Sequence, residues 1–172
     1  MKKLLSISCI VFLVCSVFAA DGKKESKAVQ AFEKFKTLEG EWQAKGEDGK
    51  TKHLTYKVFA GGSAVQETFT VTKEGQKEEM VTMYHLDSDD LMLTHYCVAN
   101  NQPRMRAISI SDDLSEVAFK FVDATNLADL NDGHMYKAMF RFNDDGTFAN
   151  AWTFRKDGEE VFKESDTYSR VD

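Results

Sequence analysis

Two hydrophobic periods divide the chain near Gly40. Upstream, Val29, Phe32, Phe35 and Leu38 recur every three residues with Lys and Glu between them, the stripe of an amphipathic helix. Ser26 offers a capping hydroxyl and Gly40 sits where such a helix should stop, so a helix is predicted over 26–38. Its aromatic stripe is read as a docking face for a core. Downstream the period becomes two. Apolar or β-branched stretches alternate with polar turn clusters: Gly46 to Lys50, Gly61-Gly62, Lys73 to Gln76, Asp87 to Asp90, Asn100-Asn101, Asp112-Asp113, Asn143 to Gly146 and Asp157-Gly158. The strands predicted between them are 41–47, 51–59, 63–72, 79–86, 91–98, 103–110, 115–122, 134–143, 147–156 and 159–169. The one long connection is Asp123 to Gly133. No second helix of useful length is visible, which excludes parallel βαβ folds. Ten strands joined by short turns predict an all-β chain. Its form is a single up-and-down antiparallel β-barrel, because closure removes the two sheet edges.

Parity within each strand then assigns a face. In 63–72 the odd positions Val65, Phe69 and Val71 are apolar, and the same face carries Glu67. Strand 115–122 puts Val117, Phe119 and Phe121 on one face. Strand 134–143 puts His134, Tyr136, Ala138, Phe140 and Phe142 on one face, and 147–156 does so with Phe148, Asn150, Trp152 and Phe154. Strand 91–98 is mixed on both faces, leaving its orientation open. The predicted interior is aromatic with a few polar interruptions: Glu67, His134, Tyr136, Asn150 and, in one orientation, His95. That composition suits a small-molecule cavity, and ten strands enclose more space than the eight that side chains just fill.

The first twenty residues stand apart. Lys2 and Lys3 precede a mostly apolar run from Leu4 to Val17, and Ala19-Ala20 offers a small-residue cleavage site. This is the pattern of a secretory signal peptide, with 21–25 as a polar tether before a domain over 26–172. The expected location is periplasmic or secreted, with no membrane insertion after cleavage. Cleavage at that point leaves 20 basic and 28 acidic residues, a net charge of −8. Such a surface repels nucleic-acid phosphates and anionic lipids. It also leaves one cysteine, Cys97, which has no internal disulfide partner and reads as a small buried hydrophobe.

Candidate chemistry centres on Glu67. A carboxylate on an apolar face must be paired, protonated or solvated. His95, Arg104 and Arg106 are its candidate partners, two or three strands along. The candidate ligand-binding set is therefore Glu67, His95, Arg104, Arg106, His134, Tyr136 and Trp152, with no catalytic group assigned. The four histidines, at 53, 85, 95 and 134, lack any short metal-ligand spacing. Asp129, Asn131 and Asp132 before Gly133 hold only part of a calcium loop. No metal and no cofactor is called for.

The helix followed by Leu38-Glu39-Gly40-Glu41-Trp42 resembles the Gly-x-Trp opening of calycin barrels, the lipocalins and fatty-acid-binding proteins. In that superfamily the Trp packs across the barrel floor against an Arg from the last strand. The resemblance gives these structural roles to Trp42 and, in Tyr168-Ser169-Arg170, to Arg170. Thr94-His95-Tyr96-Cys97 with Asn101-Gln102-Pro103-Arg104-Met105 resembles secreted bacterial lipocalin-like proteins of unknown function. That resemblance implies a fold and no activity.

The expected function is binding of a small apolar or amphipathic ligand inside the barrel. A protein-interaction module with a filled interior is the first alternative. A haem-binding, nitrobindin-like barrel is the second, with His134 or His95 as the axial ligand. Those barrels place the proximal His near the C-terminus, and the last strand here has none. An enzyme ranks last, because His95 and Cys97 two apart in a strand are separated by about 7 Å, too far for a direct dyad.

Overall fold

The computed structural model describes residues 25–46, 49–73 and 75–171. The expected leader, 1–20, and nearly all of the expected tether lie outside the described residues. The helix α1 spans Lys27–Lys36. Ten strands follow: β1 Gly40–Lys45, β2 Thr51–Phe59, β3 Ala64–Lys73, β4 Gln76–Asp87, β5 Asp90–Tyr96, β6 Gln102–Ile110, β7 Glu116–Thr125, β8 His134–Phe142, β9 Phe148–Lys156 and β10 Glu159–Arg170. Each pairs antiparallel with its chain neighbour, and β1 pairs with β10, so the sheet is a closed up-and-down barrel. This architecture is compatible with a calycin-type barrel.

The helix starts where Ser26 Oγ accepts from the Val29 amide. Its buried face is Ala28, Ala31, Phe32 and Phe35, so the apolar stripe is wider than the three-residue repeat and includes two alanines in place of Val29. Thr37, not Gly40, caps its C-terminus. The helix lies across the barrel end that holds the β2–β3, β4–β5, β6–β7 and β8–β9 turns, and Lys27 pairs with Asp112 in one of them. Phe35 enters that end. Its ring stacks on Tyr84 at 4.6 Å and meets Phe140 edge-on at 5.1 Å and Phe119 at 6.1 Å. Burying the two phenylalanines of α1 contributes about 1.5–3 kcal/mol each.

Gly40 has a different task. Its φ is +128°, and a Cβ there would meet Arg170 Nη1 at 2.6 Å. The glycine leaves room for the Arg170 guanidinium, which lies 4.4 Å over the Trp42 ring. That guanidinium also donates to the carbonyls of Thr37 and Glu39, both at 2.8 Å. Trp42 Nε1 donates to the Leu38 carbonyl at 2.7 Å. One arginine therefore ties the helix exit, β1 and the end of β10 together.

The closed half of the interior is packed solid. Trp42 and Phe148 extend the cluster begun by Phe35, and Tyr56 and Tyr168 form its boundary with the rest of the interior, Tyr168 stacked on Phe148 at 5.3 Å. There α1 adds its own side chains to those of the strands. A cavity lies toward the other end.

Candidate functional site

Register places four inward side chains in one row across consecutive strands. Tyr56 of β2 faces Glu67 of β3, Glu67 faces Thr82 of β4, and Thr82 faces His95 of β5. Adjacent strands are about 4.8 Å apart, so the row forms a continuous hydrogen-bonded chain. Tyr56 donates its hydroxyl to Glu67 Oε2. Tyr84, one layer nearer the helix, donates to the same oxygen at 2.7 Å. Thr82 Oγ1 donates to Oε1 at 3.4 Å and lies 3.0 Å from His95 Nδ1.

These contacts answer the question posed by a carboxyl group that is 2% exposed. Burial raises the Glu67 pKa, and the hydroxyls of Tyr56, Tyr84 and Thr82 work against that rise. Both tyrosines are pushed well above their ordinary pKa, first by burial and then by the Glu67 charge, so they remain donors.

A threonine hydroxyl has one proton. With that proton directed at Glu67, Thr82 accepts from His95 Nδ1, and His95 Nε2 is left as a bare lone pair. Burial lowers the His95 pKa to about 4, so the ring is neutral at pH 7. His95 is 3% exposed, and its Nε2 has no hydrogen-bond partner. The ring lies against Trp152, centroids 4.9 Å apart.

His95 and Trp152 line a cavity of about 40 Å³ with Glu67, Phe69, Met80, Met135, Asn150, Glu164, Asp166 and Tyr168. A water needs about 10–15 Å³ on this measure, so the cavity takes a few waters or a small chemical group. Its wall at β10 is set by Lys52 of β2, whose ammonium binds Glu164 and, at 2.7 Å, Asp166. Burial alone would lower the Lys52 pKa; the two carboxylates overcome this and hold it above its ordinary value.

The expected site residues separate into two groups. Glu67, His95 and Trp152 come together at the cavity, and β5 takes the orientation with Leu91, Leu93 and His95 buried. Arg104 and Arg106 do not join them. Met105 between them is buried, so both arginines point outward, where they pair with Asp123 and Asp90. His134 is buried away from the cavity lining, its Nδ1 2.8 Å from the Asp132 carbonyl and its ring 4.5 Å from Phe121. Tyr136 is displaced by a bulge between Met135 and Lys137, which turns Met135 to the cavity. Tyr136 instead sits among Lys120, Lys137 and Arg155, the last 4.6 Å from its ring centre.

Tyr56, Thr82, Tyr84, Lys52 and Asp166 were not singled out from sequence. Alternation in β2, with Leu54, Tyr56 and Val58 on one face, was the available signal for Tyr56 and for the anomalous Lys52. Cys97 is half-buried, and burial raises its thiol pKa, which does not favour a nucleophile. Among the described residues no group of three or more His, Cys, Asp or Glu could hold a metal ion. No protein-family model matches the chain, and no curated protein matches it.

Proposed function

We propose that this chain is an exported, lipocalin-like barrel that binds a small, partly apolar ligand in the half of its interior away from the helix. The observation that carries this reading is the bare His95 Nε2. A buried acceptor left without a partner costs about 1–3 kcal/mol, and a ligand that donates to it recovers that cost. Held on its other side by Thr82 and Glu67, the imidazole is fixed in orientation before any ligand arrives. Trp152 and Tyr168 supply flat apolar walls. Met80 and Met135 supply side chains that adapt to shape. Export to the periplasm or beyond rests on Lys2, Lys3, the Leu4 to Val17 run and Ala19-Ala20.

The cavity volume limits the ligand. About 40 Å³ is far below the ~300–1,000 Å³ of drug-sized sites, so only a headgroup enters fully. A haem macrocycle does not fit beside His95 without displacing the Glu164–Asp166 wall or the β8–β9 side chains. A filled barrel acting through its surface is the competing account, favoured by the solid aromatic packing around Phe35. Native mass spectrometry of protein purified from its own compartment, set against the denatured mass, separates the two. Extra mass lost on denaturation is the expected result. Identical masses would favour the surface-acting barrel.

A further inference from the structure

Among the described residues, the cavity lining carries three carboxyl groups, Glu67, Glu164 and Asp166, and no cationic side chain. Lys52 is bound to Glu164 and Asp166 together, so one ammonium serves two carboxylates. The wall therefore keeps a net negative charge before Glu67 is counted. A second, independent feature points the same way. His95 Nε2 is buried and unpartnered, and it is an acceptor whenever Thr82 gives its one proton to Glu67 and takes one from His95 Nδ1. A group entering this space meets acceptors and aromatic faces. Donor-rich cations satisfy both, through hydrogen bonds to the acceptors and cation–π contact with the rings.

We infer that the ligand is a small amine, bound as its ammonium ion with an N–H directed at His95 Nε2 and its charge balanced by Glu164 and Asp166. This rests on the ligand-binding function proposed above and specifies its chemistry. The head lies against Trp152 and Tyr168, within the space available. A short alkyl or arylalkyl tail leaves past Phe69, Met80 and Met135, all half-buried. An anionic head would face three carboxyl groups and a lone pair. A neutral alcohol would satisfy His95 and leave the wall charge unbalanced.

Isothermal titration of the purified protein with hexylamine, hexanol and hexanoate tests the charge requirement at constant tail. Hexylamine should bind at least about tenfold more tightly than hexanol, and hexanoate should not bind. His95→Phe keeps an aromatic ring and removes the acceptor, and it should weaken hexylamine by about tenfold or more. Should that variant fail to fold, Glu164→Gln at the half-exposed rim takes its place and should also weaken the amine. Equal or tighter binding of hexanol or hexanoate would overturn the inference, as would hexylamine binding unchanged in these variants. Extra mass in the native spectrum with no binding of hexylamine would overturn the amine while leaving a ligand-binding barrel. Absence of both would remove the two together.

Discussion

Glu67 and His95 show how burial acts in opposite directions on two groups joined by one chain of hydrogen bonds. Burial moves their pKa values in directions that favour neutral forms, upward for the acid and downward for the base. For His95 the consequence for stability has a definite sign. Its pKa falls from 6.5 to about 4 on folding, so the unfolded chain takes up the proton first as pH drops. The full contribution is present above pH 6.5 and is lost as pH falls toward 4, an amount of about 3 kcal/mol. Glu67, with its pKa raised, acts in the opposite sense and offsets part of the loss. Urea unfolding at pH 7 and pH 4.5 should therefore show a markedly steeper loss for wild type than for His95→Gln. Parallel losses in the two proteins would contradict a neutral, buried His95.

At the scale of elements, the joint of α1, β1 and β10 explains why a short helix closes a barrel. The helix exit carries carbonyls with no partner in the helix, and Arg170 takes those of Thr37 and Glu39. Arg170→Ala removes both bonds and the contact with Trp42, and should cost about 2 kcal/mol, lowering Tm by about 4–8 °C. Arg170→Lys should recover little of this, since one ammonium does not reproduce the fork that spans two carbonyls and stacks on indole. An Arg170→Ala variant within about 0.5 kcal/mol of wild type would refute the role given to the joint. The strands themselves were legible in the sequence because turns and alternation mark them twice over. The bulge at Tyr136 was not: it shifts parity within a strand, and nothing in His134 to Phe142 announces an extra residue. Arg104 and Arg106 were legible in principle, since Met105 between them occupies the inward position. Glu67 needs no cation, because three hydroxyls donate to it.

The whole molecule is a barrel with two unequal halves. One is filled by strands and helix together, and that filling was hidden in sequence because α1 reads as a lid until Phe35 is seen among Tyr84, Phe119 and Phe140. The other half holds the cavity, where Tyr56, Glu67, Thr82 and His95 meet only through four-strand register. Parity reveals a face; it does not reveal which residues on neighbouring strands share a row. Closure is also uneven. β1 and β10 pair over Trp42–Arg170 and Gln43–Ser169, and beyond that the Lys52 ion pairs with Glu164 and Asp166 connect β2 to β10. The most direct test of the ligand site is native mass spectrometry of wild type beside Met135→Trp, which fills the cavity from its half-buried rim. The expected result is extra mass on wild type that is absent from Met135→Trp. Extra mass retained by the filled variant, or absent from both proteins, would contradict a ligand site at His95.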